Sequence, residues 1–382
     1  GASMKPADVV VVGGGVIGLS IAYCLSREGV SVTVLDRDGL GQGASWAGAG
    51  MIPPHIERLK TNPTIELRSW SAMLYPEWSQ ALLAETGIDN GYRRTGGVDV
   101  GADLSEDNEL KTSAGRWRNE KIVYERLEPR DFSRVEPALN PELRVAYYLP
   151  DRAQIRNPRH LKALVKSLEA RGVDLRPGSA VLGFESTGGR VTGVKLEAGT
   201  IACGQAIVSA GAWTSGLLAG LGLKVETPPL KGQIVLLRSE RPLIRRVVEH
   251  GKNYLVPRDD GRVLVGATEE DAGFDTRTTA EAFRDLLAEA HYLCPILAEA
   301  EVERSWAGLR PGSVDSKPYL GHPPGFSNLI VATGHKRAGL QLAPASAEVI
   351  TDLAMGRTPR VDLAPYRLDR EPGEPADPTF RS

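Results

Sequence analysis

The residues whose spacing carries the most chemistry stand near the start of the chain. Val9, Val10, Val11 and Val12 run into Gly13-Gly14-Gly15-Val16-Ile17-Gly18, and Asp36 follows the last glycine by 18 residues. This is a G-x-G-x-x-G turn between a strand and a helix, with an acid closing the next strand. Gly13 permits the tight turn, Gly15 lets the backbone approach a pyrophosphate, and Gly18 lets helix and strand pack closely. Val16 and Ile17 open a helix whose unpaired N–H groups and positive dipole end suit phosphates. Asp36, with Arg37 beside it, is placed to accept hydrogen bonds from a ribose.

Three features favour FAD over NAD as the dinucleotide. Gly43, Ala44, Ser45, Gly48, Ala49, Gly50 and Met51 form a strip of mostly small side chains after the second strand, so the backbone can lie close to a flat ring. No second G-x-G-x-x-G offers a nicotinamide site. Near the C-terminus an apolar strand over 328–333 ends in Gly334, and a helix begins near Leu340. The N-terminus of that helix would point at a flavin and stabilise the negative charge of its reduced ring. His335, Lys336, Arg337, Ala338 and Gly339 make the turn between them. Val181, Ala210 and Gly211, at strand ends in the second half of the nucleotide domain, complete the candidate cofactor set.

The elements that must position these residues read as an α/β chain. A helix over 64–85 carries Leu67, Trp70, Met73, Leu74, Trp78, Ala81 and Leu82 at helical spacing. A strand over 96–100 enters a different layer, and residues 102–140 are polar and helical or looped. A helix over 158–171 precedes strands over 174–176, 180–185, 191–196 and 201–210. From Lys231 the pattern turns to short β-branched strands at 233–237, 247–249, 253–257 and 263–266, with Asp259-Asp260-Gly261 as a hairpin turn. A helix over 280–293 and a strand over 302–306 follow. The expected architecture is a Rossmann-like FAD-binding domain, built from 7–90, 141–225 and 308–368, with an inserted antiparallel-sheet (α+β) substrate domain from 91–140 and 226–307. The Pro- and Glu-rich residues 369–382 read as a disordered tail.

Bulk properties narrow the function classes. A net charge of −2 gives no electrostatic case for nucleic acid or an anionic membrane. No apolar run reaches the length of a membrane span. The valine run is broken at Gly13 and does not form a signal peptide, so the cytoplasm is the expected compartment. Gly1-Ala2-Ser3 before Met4 reads as a remnant of tag cleavage. Cys24, Cys203 and Cys294 are scattered, which suggests reduced core thiols rather than disulfides or a metal site.

Several separated motifs together resemble a known family. Gly43-Ala44-Ser45 through Met51, Lys231-Gly232-Gln233, Tyr254-Leu255-Val256-Pro257-Arg258, Gly266-Ala267-Thr268, Trp306-Ala307-Gly308-Leu309-Arg310-Pro311 and Gly334-His335-Lys336-Arg337-Ala338-Gly339 match the order found in FAD-dependent amine oxidases of the D-amino acid oxidase family. The resemblance spans about residues 7–368 and is nearest to the glycine oxidase branch, which is associated with thiamine biosynthesis. It implies hydride transfer from the Cα of a small amine (glycine, sarcosine or a D-amino acid) to flavin N5, then hydrolysis to an oxo acid and ammonia. Oxygen then reoxidises the flavin to give hydrogen peroxide. It further implies that Arg310 binds the substrate carboxylate through its planar fork. Tyr254 corresponds to an active-site tyrosine, and Arg337 to a second arginine beside the flavin. His335 corresponds to a structural neighbour of the flavin, without a proton-transfer role.

The chain departs from that pattern at Lys252, where glycine oxidases can carry histidine, and at Glu269, which replaces an apolar pocket residue. Lys336 replaces an aromatic residue and Ala338 an asparagine. Glu269 and Lys336 either pair with one another, read a polar substrate group, or face solvent. No cysteine stands at the C-terminal positions used for covalent flavin attachment, so FAD is expected to be noncovalent. The family often forms homo-oligomers. A dehydrogenase passing electrons to a quinone and a noncatalytic flavoprotein subunit are the competing readings.

Overall fold

The computed structural model describes residues 3–41, 49–56, 63–313 and 315–371. The apolar run of β1 (Ser3–Val12) places it at the centre of a mostly parallel sheet, between β2 (Val32–Leu35) and β11 (Gly199–Val208). Val9 to Val12 are buried on both faces, as central parallel strands are. β8 (Asp174–Arg176) extends the sheet beyond β2, and β18 (Leu329–Thr333) beyond β11. β17 (Tyr319–Gly321) closes that edge in antiparallel sense, and a hairpin of β9 (Val181–Thr187) and β10 (Arg190–Leu196) joins β11. Helices α1 (Val16–Ser26), α2 (Pro63–Thr86), α5 (Asn157–Ala170) and α8 (Gly339–Ala354) cover one face through Leu19, Leu67, Leu164 and Val349. The short α6 (Thr214–Ala219) and the hairpin cover the other, over Val10, Val12 and Val208. In α2, Met73 turns outward at 44% exposure and Tyr75 takes the core position, its hydroxyl donating to the Leu340 carbonyl.

A second sheet runs in the order β16 (Glu301–Pro311), β12 (Pro229–Arg238), β15 (Arg262–Gly266), β14 (Asn253–Pro257), β13 (Val247–His250), β4 (Gly97–Gly101), β6 (Val145–Leu149) and β5 (Glu125–Leu127). All its pairs are antiparallel except β13 with β4. Period-two alternation gives it two faces. Val235, Leu237, Leu255, Val263 and Val265 pack against α7 (Ala280–Leu293), with α4 (Phe132–Val135) nearby. Ile234, Tyr254, Val256 and Leu264 pack on the opposite side with Ala49 and Met51. β3 (Met51–Ile52) and β7 (Ala153–Gln154) form a two-stranded link.

Three expectations change. Residues 145–149, assigned above to the nucleotide domain, pair with β4 and β5 in the second sheet. The strand expected over 302–306 continues to Pro311, because β12 offers it a ladder along its whole length, so 308–311 also belong to the second sheet. The polar stretch 102–140, expected to be helical or looped, does contain a helix, α3 (Leu104–Asn119), capped by Asp103, whose side chain accepts from Glu106 N at 2.9 Å. Part of the expected tail is anchored as well: Arg370 forks onto Asp315 at 2.7 and 2.9 Å and donates to the Lys317 and Pro318 carbonyls. Residues 372–382 lie outside the described residues. No helix among the described residues is long and apolar enough to cross a membrane.

Candidate functional site

The glycine turn is built as its sequence requires. Gly13 sits at φ +113°, and a Cβ there would strike the Ser209 carbonyl. A Cβ on Gly18 would strike the Gly13 carbonyl, so this glycine serves helix–strand packing and does not itself line the cavity. Gly15 is the N-cap of α1 and has no side-chain capping bond. The start of that helix lines a cavity of about 270 Å³, together with Gly13, Gly15, Val16, Ile17, Asp36 and Arg37. Asp36 accepts from Gly14 N at 2.7 Å and from Asp38 N at 2.8 Å; burial raises its pKa against those bonds. The carboxylate thus braces the glycine turn while it faces the cavity.

The small-residue strip forms another wall. Gly43, Ala44, Ser45 and Gly48 lie outside the described residues, but Ala49, Gly50 and Met51 line the cavity. Each of their three carbonyls is held from outside. Ala49 O accepts from Arg258 at 3.3 Å, Gly50 O from Ile155 N at 2.7 Å, and Met51 O from Gln341 Nε2 at 2.9 Å. Gly50 has φ +78°, and a Cβ would strike the Ile155 carbonyl. The strip is a fixed backbone ledge, which suits a flat ring. Ala210, Gly211, His335, Lys336, Gly339 and Leu340 line the same cavity. Gly334 and Ala338 do not: Gly334 turns the chain at φ +78° beside the Tyr319 ring, and Ala338 packs into the helical core. Val181 lines an adjoining cavity of about 250 Å³ that shares Gly13, Asp36 and Trp213. The Arg37 guanidinium lies 3.6 Å over the Trp213 ring there. Trp213, Ser209, Asn157 and Thr276 also line the main cavity and were not foreseen. Trp213 was visible in the Gly211-Ala212-Trp213 turn, whereas Thr276 is brought in only by tertiary folding.

The second sheet supplies the remaining wall. Trp306, Gly308 and Arg310 fall on one face of β16 and pair with Ile234, Gly232 and Leu230 of β12. Arg310 is 4% exposed and lines the cavity. Its guanidinium lies over Gly232, where any Cβ would collide with it. Tyr254 is fully buried on the same sheet face, its ring over Gly266, and its hydroxyl has no hydrogen-bond partner among the described residues. It packs with Ala49 and Met51 rather than lining the main cavity itself. The Arg337 side chain lies outside the described residues; its backbone sits in a short 3-10 turn, Lys336–Ala338.

The glycine cradle, the start of α1 and the fixed ledge fit an FAD. A family model for FAD dependent oxidoreductases (DAO) matches residues 8–353. The chain belongs to that family. It is 39% identical over 360 residues to a glycine oxidase of Pseudomonas putida, covering 94% of this chain and 97% of that one. The crystal structure of glycine oxidase from Geobacillus kaustophilus superposes with a TM-score of 0.92 at 32% identity, covering 97% of this chain and 100% of that one. That of an iminodiacetate oxidase from Chelativorans sp. BNC1 superposes at 0.86 and 29%, covering 94% and 98%.

In this FAD dependent oxidoreductase His335 is buried, and desolvation lowers its pKa to about 3. Its Nε2 meets Ser346 Oγ at 3.2 Å. A neutral imidazole with so low a pKa is a poor general base near neutrality, in line with its reading as a structural neighbour. Lys336 does pair with Glu269, at 3.5 Å. The flavoenzyme also holds a second cavity of about 330 Å³, which shares Met51 with the first and is lined by charged groups from α2, α3 and the second sheet. Arg152 there is clamped between Asp99 and Glu249, each at 2.7 Å.

Proposed function

We propose that the enzyme oxidises glycine or a related small amine, such as sarcosine or a D-amino acid, to an oxo acid, ammonia or amine, and hydrogen peroxide. The observation that carries this is the placing of Arg310 and Tyr254: two buried polar side chains on the sheet face turned toward the flavin cavity, each with room made for it by a glycine. Likeness to glycine oxidases over nearly the whole chain supports it. The kinship with an iminodiacetate oxidase admits N-carboxymethyl amines to the same class.

FAD, held by the Gly13 and Gly15 turn, Asp36 and the Ala49–Met51 ledge, would supply a two-electron acceptor for the hydride of the Cα–H bond and a route for those electrons to oxygen. The protein's part is binding and exclusion of water. Arg310 holds the substrate carboxylate by paired N–H···O bonds. The Tyr254 hydroxyl adds a donor. Met51, Val256 and Leu264 keep the region apolar, which strengthens both contacts. The amine nitrogen's lone pair forms the C=N bond and its N–H proton leaves to solvent. Water then adds at carbon and the C–N bond breaks. None of the cysteines lines the cavity, which supports noncovalent FAD.

The test is anaerobic bleaching of the yellow protein by glycine, sarcosine, D-alanine, D-proline and larger or charged amines, followed by air and a peroxide assay. Bleaching by glycine or sarcosine with stoichiometric peroxide supports the proposal. Bleaching without peroxide identifies a dehydrogenase, and no bleaching by any amine refutes the reading.

A further inference from the structure

The flavin cavity carries charge of both signs. Asp36, Asp38 and Arg37 stand together at the end formed by the glycine turn. Arg310 and Lys336 stand on the second-sheet wall and the C-terminal turn. A simple amino acid brings one carboxylate, and Arg310 suffices for it. Lys336 is then a second cation with no assignment in that reaction.

Its geometry shows which way it serves. Lys336 lines the cavity, whereas its partner Glu269 lines none of the described cavities. Lys336 thus belongs to the cavity wall, and its ammonium pairs with an acid that stands outside that lining. The Lys336 backbone is held at φ +56°, in the left-handed region, directly after the Gly334 turn. From there its ammonium reaches Glu269 at 3.5 Å and Ser316 Oγ at 3.5 Å. Glu269 is fixed from the other side. The chain leaving β15 hydrogen-bonds to Gln233 through Thr268, at 2.9 and 3.3 Å, and bridges Lys231 through Glu270. This places Glu269 next to the Gly232 segment over which Arg310 lies. The two side chains are 30% and 25% exposed. A partly hydrated ion pair of this kind is weak and exchangeable. A substrate carboxylate can therefore take Glu269's place on Lys336 while another is held by Arg310.

We propose that Lys336 is a specificity residue that reads a second anionic group, and that the preferred substrates are amines bearing two carboxylates. This rests on the reading of Arg310 as the first carboxylate site. The reaction is unchanged: one Cα–H of an N-carboxymethyl amino acid gives up its hydride to FAD, and hydrolysis of the C=N bond releases glyoxylate and the remaining amino acid.

The test compares glycine with iminodiacetate, and D-alanine with D-aspartate, as substrates of the FAD-loaded enzyme and of its Lys336→Met and Glu269→Gln variants. In the wild type the diacid of each pair has the higher kcat/KM. Lys336→Met lowers the diacid-to-monoacid ratio of kcat/KM at least tenfold, mainly through KM. Glu269→Gln frees the ammonium and lowers the diacid KM severalfold. A ratio unchanged by Lys336→Met overturns the proposal, as does a wild type bleached by glycine but by neither diacid. Absence of bleaching by every amine overturns the reading of the Arg310 site itself, and this proposal with it.

Discussion

Replacing Gly232 by alanine adds one methyl group at the point where the Arg310 guanidinium lies. The new Cβ would stand well inside contact distance of Cζ and both terminal nitrogens of Arg310. The fold has little reason to suffer. Gly232 pairs with Gly308 in the β12–β16 ladder, and the atoms in conflict are the far end of a flexible side chain. Alanine in place of glycine also reduces the freedom of the unfolded chain, by about 0.4–1 kcal/mol where the backbone allows it. What yields is the guanidinium, by about an ångström, which breaks a two-bond fit to a carboxylate. Loss of one charge-assisted hydrogen bond costs about 1.5–3 kcal/mol, or roughly 10- to 150-fold in affinity. The expected result is a thermal midpoint at or above that of the wild type, with the apparent dissociation constant for glycine raised at least tenfold. The assay is the concentration dependence of anaerobic flavin bleaching. Arg310→Ala should give an effect at least as large. In the double variant, Gly232→Ala should add less than twofold, because its target is gone. Wild-type affinity in Gly232→Ala, or full additivity in the double variant, would refute the placing of a substrate carboxylate on Arg310.

Tyr254→Phe removes a buried hydroxyl that has no partner among the described residues. If the hydroxyl serves substrate, urea midpoints stay level or rise while KM increases by roughly three- to tenfold, about 0.5–1.5 kcal/mol; a fall in stability with KM unchanged would make Tyr254 structural. Gly18→Ala sets a Cβ against the Gly13 carbonyl, a backbone atom that cannot swing aside. About 1–3 kcal/mol of overpacking falls on the phosphate turn, so this variant should purify with little yellow colour and gain little thermal stability from added FAD. His250 lies between Glu289 and Glu106, each at 2.6 Å, and the hydrogen bond to Glu289 leads in raising its pKa to about 9. The unfolded value is near 6.5, so the imidazolium's contribution is complete below that pH and is lost as pH rises through about 9. That gap corresponds to roughly 3 kcal/mol at most. Urea midpoints measured from pH 6 to 10 should fall more steeply in the wild type than in His250→Gln, and parallel curves would remove His250 from the account.

The nucleotide half of the site was legible because its constraints are local. Gly13, Gly15, Gly18 and Asp36 act within one strand–turn–helix–strand unit, so their spacing along the chain is nearly their spacing in space. The helix over 280–293 was legible for the same reason, since one face of it is apolar at its own period, and the strand over 253–257 from its short apolar run beside the Asp259-Asp260-Gly261 turn. β6 was missed because its Val-Ala-Tyr-Tyr-Leu run has no alternation. Nothing nearby in sequence shows that β4 and β5 flank it on either side. The end of β16 was cut short because Gly308 and Arg310 break the apolar pattern, although both are paired to β12.

The substrate half shows why such breaks matter. Gly232 and Gly266 stand in motifs whose glycines have no turn to make. Gly232 lies within β12, and Gly266 is the last residue of β15. Glycine inside a strand costs conformational entropy and forfeits a packing side chain. Register explains them: the Arg310 guanidinium lies over Gly232, the Tyr254 ring over Gly266, and in each case the side chain comes from the neighbouring strand. A strand glycine of this kind is the imprint of a large polar residue that one sheet face must accommodate without moving. The sheet gives up two side chains of packing to hold an arginine and a tyrosine beside an apolar layer, where an ordinary core would place valine. Such a loss is sustained only if the residues accommodated bind something, and the paired behaviour of Gly232→Ala and Arg310→Ala tests that directly.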